Sequence, residues 1–178
     1  WAHGMVSEDR WLMVFPEAVK TDYQTDRYRH VDFWHGPNGT EGVDVKGRKL
    51  PQGICLEFMN VVGEKGWMLG DAKWIAAEVV GFTGFFRFER EECLGWLRTI
   101  VKNEYVSEFS LCHHKLYTRS RWGKKDIVTT VTINDLSELS SFTYIPWVES
   151  DIEADGGVKT SVEYSHPVTG EDISFSVS

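Results

Sequence analysis

Residues 31–47 read VDFWHGPNGTEGVDVKG, two short β-type runs separated by a dense group of turn-forming residues. This pattern predicts a β-hairpin. With the turn centred on Asn38, Asp32 lies directly opposite Asp44, and Lys46 follows on the same face because strand side chains alternate. Directly opposed residues have Cβ atoms about 4.5–5.5 Å apart, and like charges there are destabilising. The hairpin therefore places two carboxylates where a cation would relieve their repulsion.

A second predicted hairpin extends this row of acids. The β-type run at 54–62 follows a turn centred between Leu50 and Pro51, which places Glu57 on the other side of Asp44. Three adjacent strands would then present three carboxylates in line, with a lysine beside them. Both registers are inferred from the turn positions, and a slip of one residue would move a whole strand's side chains to the other face.

Such a row of acids suits divalent-metal chemistry. Carboxylate oxygens are hard ligands for Mg²⁺ or Mn²⁺, which keep several waters and are completed by substrate phosphate oxygens. A bound metal lowers the pKa of a water and stabilises charge that develops during phosphodiester hydrolysis. Lys46 would orient that water or help to deprotonate it. From spacing alone, a solvated surface with a cross-strand ion pair is the open alternative.

The rest of the chain predicts an α/β domain. Residues 7–20 indicate a helix, with Ser7 as its N-cap and Pro16 as the point where it kinks or ends. The apolar spacing of residues 90–103 indicates a second helix. Further strands are predicted at 74–80, 84–89, 115–120, 126–133 and 141–147.

The composition predicts one globular domain over residues 1–148, followed by an acidic tail or add-on hairpin over 149–178. Apolar residues make up 42% of the chain, and eight Trp, ten Phe and six Tyr favour a compact, β-rich core. The net charge is −8, but residues 149–178 hold seven acids and one base, which leaves −2 for the other 148 residues. A phosphate-binding surface on the domain is therefore compatible with the overall charge.

Cysteine spacing and hydropathy restrict the class of protein. Cys55, Cys93 and Cys112 are odd in number, lie far apart and form no CxxC pair, which favours reduced thiols. No run approaches 18 consecutive apolar residues, and the N-terminus lacks a signal-peptide pattern. We expect a soluble protein with no membrane partner, in the cytoplasm of a bacterium or of a virus-infected host cell.

The acids and the lysine of the first hairpin carry a resemblance to a known family. Asp32, eleven intervening residues and then Asp44-Val45-Lys46 resemble the core motif of the PD-(D/E)XK nuclease superfamily. The likeness is nearest to small nuclease-like proteins of phages and large DNA viruses, and it extends over the lines VDF (31–33), VDVKG (43–47), LEFMN (56–60) and GWMLG (66–70). The motif is short, and its place in the predicted strand order is what gives it weight.

The resemblance implies a restriction-endonuclease-like mixed β-sheet flanked by helices, with extra C-terminal strands, over residues 1–148. It also implies one or two Mg²⁺ or Mn²⁺ ions and an endonuclease that hydrolyses phosphodiester bonds in DNA. By this motif Lys46 is the catalytic lysine, and the implied metal ligands are Asp32, Asp44 and the Val45 carbonyl. Glu57 joins them as a catalytic acid and metal ligand through the predicted register of the second hairpin.

Departures from the family pattern are also visible. Val31 stands where the motif has proline, and Lys73 stands where relatives often carry an acid. The acid of the first helix is not clearly marked: Glu17 is the candidate and Glu8 the alternative, although both fit plain helix-surface charges. Any further metal ligand outside the hairpins is therefore in doubt.

A basic turn near residue 122 is the predicted nucleic-acid contact. Cationic side chains surround Trp122 there and could grip a phosphate backbone, and an ordinary solvated turn is the open alternative. The residues are Arg119, Arg121, Lys124 and Lys125.

Two adjacent histidines form another candidate metal-binding group. His113 and His114 follow Cys112, but as neighbours on a strand the two histidines would point to opposite faces. We therefore do not expect a zinc site there.

Two rival functions remain open at this point. One is a non-catalytic binding protein of the immunity or inhibitor type with an acidic surface, which the net charge of −8 favours. The other is an RNA-directed nuclease, because such a site contacts the phosphate and not the sugar. The sequence does not decide between a monomer and a homodimer.

Overall fold

The computed structural model describes residues 2–36, 38–47, 50–51, 53–121 and 124–147, without the side chains of 2–5, 119–121 and 124–125. The described residues belong to one compact unit that ends at Trp147, and the predicted acidic tail lies outside them. They form a mixed α/β fold with few helices. Its α-helices are α1 (Ala2–Val14), α2 (Arg90–Ile100) and α3 (Ile133–Leu136). Its strands are β1 (Val19–Lys20), β2 (Phe33–His35), β3 (Glu41–Lys46), β4 (Gly53–Met59), β5 (Trp74–Glu78), β6 (Gly84–Glu89), β7 (Lys102–Val106), β8 (Lys115–Arg121), β9 (Lys124–Thr132) and β10 (Thr143–Pro146).

The strands form two mixed sheets. The first sheet has the order β1-β2-β3-β5-β6-β10, and the second has the order β4-β9-β8-β7. Each sheet contains one parallel pair, β3 with β5 in the first and β7 with β8 in the second. No helix in the described part of the chain is long and apolar enough to cross a membrane.

The first predicted hairpin is confirmed with its register. Phe33 pairs with Val43 in the antiparallel β2–β3 ladder, which is the alignment expected from a turn centred on Asn38. The turn needs left-handed backbone, and Gly36 (φ +86°) and Gly39 (φ +59°) adopt it without the steric cost that a Cβ atom would add.

The second predicted hairpin is wrong. β4 leaves the first sheet and pairs with β9, and the other neighbour of β3 is β5, which runs parallel and places Ile75 beside Asp44. The burial pattern gives the reason. β3 is buried on both faces over 42–45, and β5 is a nearly continuous apolar run, which suits an inner strand of a sheet covered on both sides.

The helix predictions are correct in place but not in extent. The predicted 7–20 helix is α1, which begins earlier and ends two residues before Pro16, since proline cannot continue a helix. Ser7 is a fully buried residue inside this helix and not its N-cap. The predicted 90–103 helix is α2 and ends at Ile100 because the next residues enter β7. The three cysteines are free thiols, as expected.

Two apolar clusters cover the two faces of the first sheet. On one face Trp11 of α1 packs against Phe33, Val43, Val45 and Phe85. On the other face the second sheet and α2 cover the strands, through a core that includes Leu56, Ile75, Phe88, Leu97 and Val131. The alternation of β3 directs Asp44 and Lys46 to this second face, so the candidate site begins inside the molecule.

Candidate active site

The β2–β3 hairpin brings the two central acids together. Asp32 immediately precedes β2, and its backbone N–H donates a hydrogen bond of 2.9 Å to the Val43 carbonyl, which holds Asp32 next to Asp44. Asp32 is 5% exposed and Asp44 is 0% exposed, so both carboxyl groups lie in the interior. Lys46 lies two residues further along β3 on the same face, and its side chain is 23% exposed. The predicted convergence of these three side chains is therefore present.

The two carboxyl groups have different partners. Asp32 Oδ2 accepts a hydrogen bond of 2.6 Å from the Val45 backbone N–H. The Lys46 ammonium lies 2.5 Å from Asp44 Oδ1 and 5.5 Å from the centre of the buried Trp67 ring. Both oxygens of Asp44 are inaccessible to solvent, and neither accepts a hydrogen bond of good geometry. Asp44 therefore depends on one ion pair and on its proximity to a second acid.

Burial and mutual repulsion change the pKa of each group. Burial, followed by the charge of Asp44, raises the pKa of Asp32 to about 7. Burial also raises the pKa of Asp44, although the nearby Lys46 opposes this shift. Desolvation alone would lower the pKa of Lys46, but the attraction of Asp44 and Asp32 outweighs it and raises the pKa. At neutral pH the lysine is thus a cation beside an Asp32 carboxyl that is only partly ionised.

A third acid, Asp26, extends the site towards solvent and was missed by sequence reasoning. It lies on a π-helical turn, Thr25–Arg29, just before the hairpin. Desolvation, then the charge of Asp32 and a hydrogen bond to the Asp32 side chain, raises the pKa of Asp26. The residue as a whole is exposed, while its carboxyl group is partly withdrawn from water beside Asp32. Asp26, Asp32 and Asp44 form a row of carboxyls that runs from the surface into the interior.

The position of Asp26 depends on backbone features with little sequence signature. Asp22 starts the turn by accepting hydrogen bonds from the backbone N–H groups of Gln24 and Thr25 at 2.8 and 2.9 Å. His30 ends it in a left-handed conformation, with φ +51°. The side chain of Asp22 was a readable start signal, but the reversal at a histidine was not.

Glu57 does not lie beside Asp44, so that prediction is wrong. Glu57 belongs to β4 in the second sheet, where it pairs with Val128. Its charge still contributes to the raised pKa of Lys46. Glu57 therefore adds to the negative potential around the lysine, while Asp26 occupies the end of the row.

The acids proposed for the first helix do not join the site. Glu17 lies beyond the end of α1 and binds His35 at 2.8 Å, and the His35 ring packs on Trp11 and Phe15, on the opposite face of the first sheet from Asp44. Glu8 forms an ion pair with Lys20 at 2.7 Å. The reason is that α1 packs on the face of the first sheet opposite the one to which Asp44 points.

The donor set fits a hard divalent cation. Asp44 Oδ1 faces the Lys46 ammonium, Asp44 Oδ2 makes no well-aligned hydrogen bond, and Asp32 has one oxygen beyond the one that the Val45 N–H occupies. Burying more negative than positive charge is costly, and a further cation would reduce that cost. The three carboxyls form an extended row and not a tight three-atom cage. This suits Mg²⁺ or Mn²⁺, which are commonly held by one or two carboxylates and completed by water and phosphate.

A small cavity of about 20 Å³ adjoins the site beyond Lys46. Its walls include Gly53, Cys55, Trp67 and Glu78 but neither Asp32 nor Asp44. The two central carboxyls therefore do not line this cavity.

The predicted nucleic-acid contacts lie at the closed end of the β8–β9 hairpin. In this ladder Arg119 pairs with Asp126 and Arg121 pairs with Lys124. The side chains of Arg119, Arg121, Lys124 and Lys125, and all of Trp122, lie outside the described residues. Their role as a phosphate contact stays a prediction.

Comparisons with protein-family models, curated proteins and solved structures gave no match to this chain.

Proposed function

We propose that this chain is a metal-dependent endonuclease of the PD-(D/E)XK type that hydrolyses phosphodiester bonds in DNA. One observation carries the proposal: the Asp44 carboxylate is completely buried and lies beside a second buried acid, Asp32. Lys46 lies beside Asp44 on the same strand face. A purely structural site would give each buried charge its own partner, whereas Asp26, Asp32 and Asp44 all interact with the same lysine.

The acids and the lysine have different roles in this proposal. Asp44 and Asp32 would hold Mg²⁺ or Mn²⁺, with Asp26 at the solvent side. When bound, the metal supplies a water of lowered pKa and neutralises charge on the scissile phosphate. Lys46 has a raised pKa and remains protonated, so it acts as a cationic donor that orients water and stabilises negative charge, and not as the base.

The arrangement of elements supports a restriction-endonuclease-like core in part. α1 packs on one face of the sheet that carries the acid hairpin, and the strand with the DxK residues is an inner strand of a mixed sheet. The departure is β4, which the family pattern would place in this sheet.

A non-catalytic binding protein is the second candidate, and two observations favour it. The net charge is −8, and the carboxyls do not line the cavity beside Lys46. On this alternative the buried acids tune stability and no substrate is cleaved.

The test uses the full chain with plasmid DNA, single-stranded DNA and RNA, with Mn²⁺ and with chelator. We expect metal-dependent cleavage of DNA, reduced about 100-fold or more by Asp44→Asn and by Lys46→Ala. Glu41→Gln is a matched control, since Glu41 lies on the same strand and pairs with Lys73 at 2.5 Å, away from the acid row. It should cleave like the wild type.

Three results would overturn the proposal. They are the absence of cleavage of every substrate with metal, cleavage that survives chelation, and wild-type rates in both site variants. Cleavage of RNA alone would replace the DNA assignment with that of a ribonuclease.

A further inference from the structure

His113 and His114 come together on the second sheet, contrary to the prediction that they point to opposite faces. Their rings stack with centroids 3.9 Å apart and an interplanar angle of 27°. The reason is that His114 has a left-handed backbone, with φ +54°, so the strand alternation does not apply. Both precede β8, in the segment that follows the short helical turn Phe109–Leu111.

A carboxylate from another element completes this group. Asp135 in the first turn of α3 places Oδ2 3.7 Å from His113 Nε2 and 3.2 Å from His114 Nε2. One ligand atom from each of the three residues lies within 4.8 Å of the others. The residues therefore converge from two separate parts of the chain on one point.

The Asp135 carboxylate is held in place by its own neighbours. The backbone N–H and the hydroxyl of Thr132 donate hydrogen bonds of 2.7 and 2.8 Å to Asp135 Oδ2. Metal-binding carboxylates are commonly oriented by such supporting hydrogen bonds. Thr132 thus fixes a carboxylate in front of two imidazoles before any ion arrives.

His114 supplies an unsatisfied nitrogen. Its Nε2 atom is inaccessible to solvent and makes no aligned hydrogen bond, although the Asp135 carboxylate is only 3.2 Å away. The ring edge packs on Trp96, with centroids 6.3 Å apart at 89°. A buried nitrogen that faces a carboxylate without a well-aligned hydrogen bond is uncommon in proteins, and a metal ion held between the two groups would satisfy both.

We propose that His113, His114 and Asp135 bind a first-row transition dication, with Zn²⁺ as the best fit. Two imidazoles and one carboxylate are three protein ligands of the type that zinc takes, which leaves a fourth position for water. The bound ion would link the segment before β8 to α3. This site is independent of the acid row, whose oxygen ligands favour Mg²⁺ or Mn²⁺.

The alternative is an ordinary ion pair between a protonated histidine and Asp135. That pair would form in acid and would need no metal. The two readings differ in their response to Zn²⁺ near neutral pH, where a metal site binds neutral imidazole.

The experiment uses the full chain after removal of metal with chelator. We expect Zn²⁺ to raise the melting temperature by several degrees, since an ion that binds only the folded state stabilises it. Co²⁺ in place of Zn²⁺ should give visible absorption from a low-symmetry site with nitrogen ligands. His113→Gln and Asp135→Asn should each weaken binding at least about tenfold, the loss typical of removing a supporting residue alone.

His35→Gln is the matched control because His35 pairs with a carboxylate, Glu17, at 2.8 Å. It should keep the full response, as should Asp44→Asn in the acid row. His113 is 49% exposed, so His113→Gln should fold normally. The proposal is overturned if the wild type responds to neither ion, if His113→Gln binds as tightly as the wild type, or if His35→Gln loses as much affinity.

Discussion

Two buried acids of the first sheet, Glu78 on β5 and Asp44 on β3, differ in how the charge of the carboxylate is compensated. The side chain of each is only 1% exposed. The Arg10 guanidinium donates two hydrogen bonds to Glu78, at 2.8 and 3.1 Å, one to each carboxylate oxygen. Asp44 has the Lys46 ammonium near one oxygen and the Asp32 carboxyl opposite.

The difference teaches which buried charge is structural. One guanidinium nitrogen, Arg10 Nη1, contacts both oxygens of Glu78, so Glu78 is an acid with its own cationic partner. The cluster around Asp44 holds more acids than bases, because Asp26, Asp32 and Asp44 share Lys46. Surplus charge in the interior costs stability and persists where function requires it.

The largest expected effect is a pH dependence caused by Asp32 in the metal-free protein. The pKa of Asp32 is about 7 in the folded state, against an ordinary value of 3.8 for an aspartate exposed to water. The folded state therefore holds the proton more tightly, and its stabilising effect is complete below about pH 4 and lost as the pH rises to about 7. One pKa unit corresponds to about 1.4 kcal/mol, so the loss is at most about 4 kcal/mol.

Urea unfolding at pH 5 and pH 8, in chelator, measures this loss. Wild type should lose free energy of unfolding between the two values, and Asp32→Asn should lose less. Titrating groups remote from Asp32 behave alike in both proteins and cancel in the difference. Asp26, whose pKa Asp32 raises, loses part of its own shift in the variant and changes the difference in the same direction. Equal pH dependence in the two proteins would show that Asp32 ionises normally.

The Arg10–Glu78 ion pair should respond to the loss of its carboxylate charge in the opposite way from Asp44, since we expect the protein to be destabilised. Glu78→Gln removes a buried charge that has its own partner, and we expect a destabilisation of about 1–3 kcal/mol. This is below the usual cost of breaking a buried pair because the Arg10 side chain is 33% exposed and can be hydrated. Urea denaturation checks it, and an unchanged midpoint would remove the contrast between the two acids. The folded variant should retain any nuclease activity, because Glu78 does not belong to the acid row.

Much of the fold was readable because its signals are local. The turn at 36–40 set the β2–β3 register, and the runs at 84–89 and 90–100 specified β6 and α2. The pairing of β3 with β5 was not readable, since Gly47 and Pro51 indicate a turn but not which sheet the next strand joins. Non-local pairing depends on which apolar faces compete for the same core.

The candidate site, like the fold, could be predicted from the sequence where its residues follow from local signals. Asp32, Asp44 and Lys46 follow from one hairpin and its alternation. Asp26 required a π-helical turn that ends in left-handed His30, and the histidine pair required the same conformation at His114. Residues other than glycine adopt it in only a few per cent of cases, so their sequence carries no reliable signal for it.

The most direct test of the central claim compares thermal melts of wild type and Asp44→Asn, in chelator and in Mn²⁺. Asn keeps the shape of the side chain and removes one of the repelling charges, while Lys46 retains the attraction of Asp32 and Glu57. We expect the metal-free variant to be more stable than the wild type by about 0.5–2 kcal/mol. We also expect Mn²⁺ to raise the melting temperature of the wild type but barely to change that of the variant. A neutral or destabilising Asp44→Asn, with the same response to Mn²⁺ in both proteins, would contradict it and leave Asp44 and Lys46 as an ordinary ion pair.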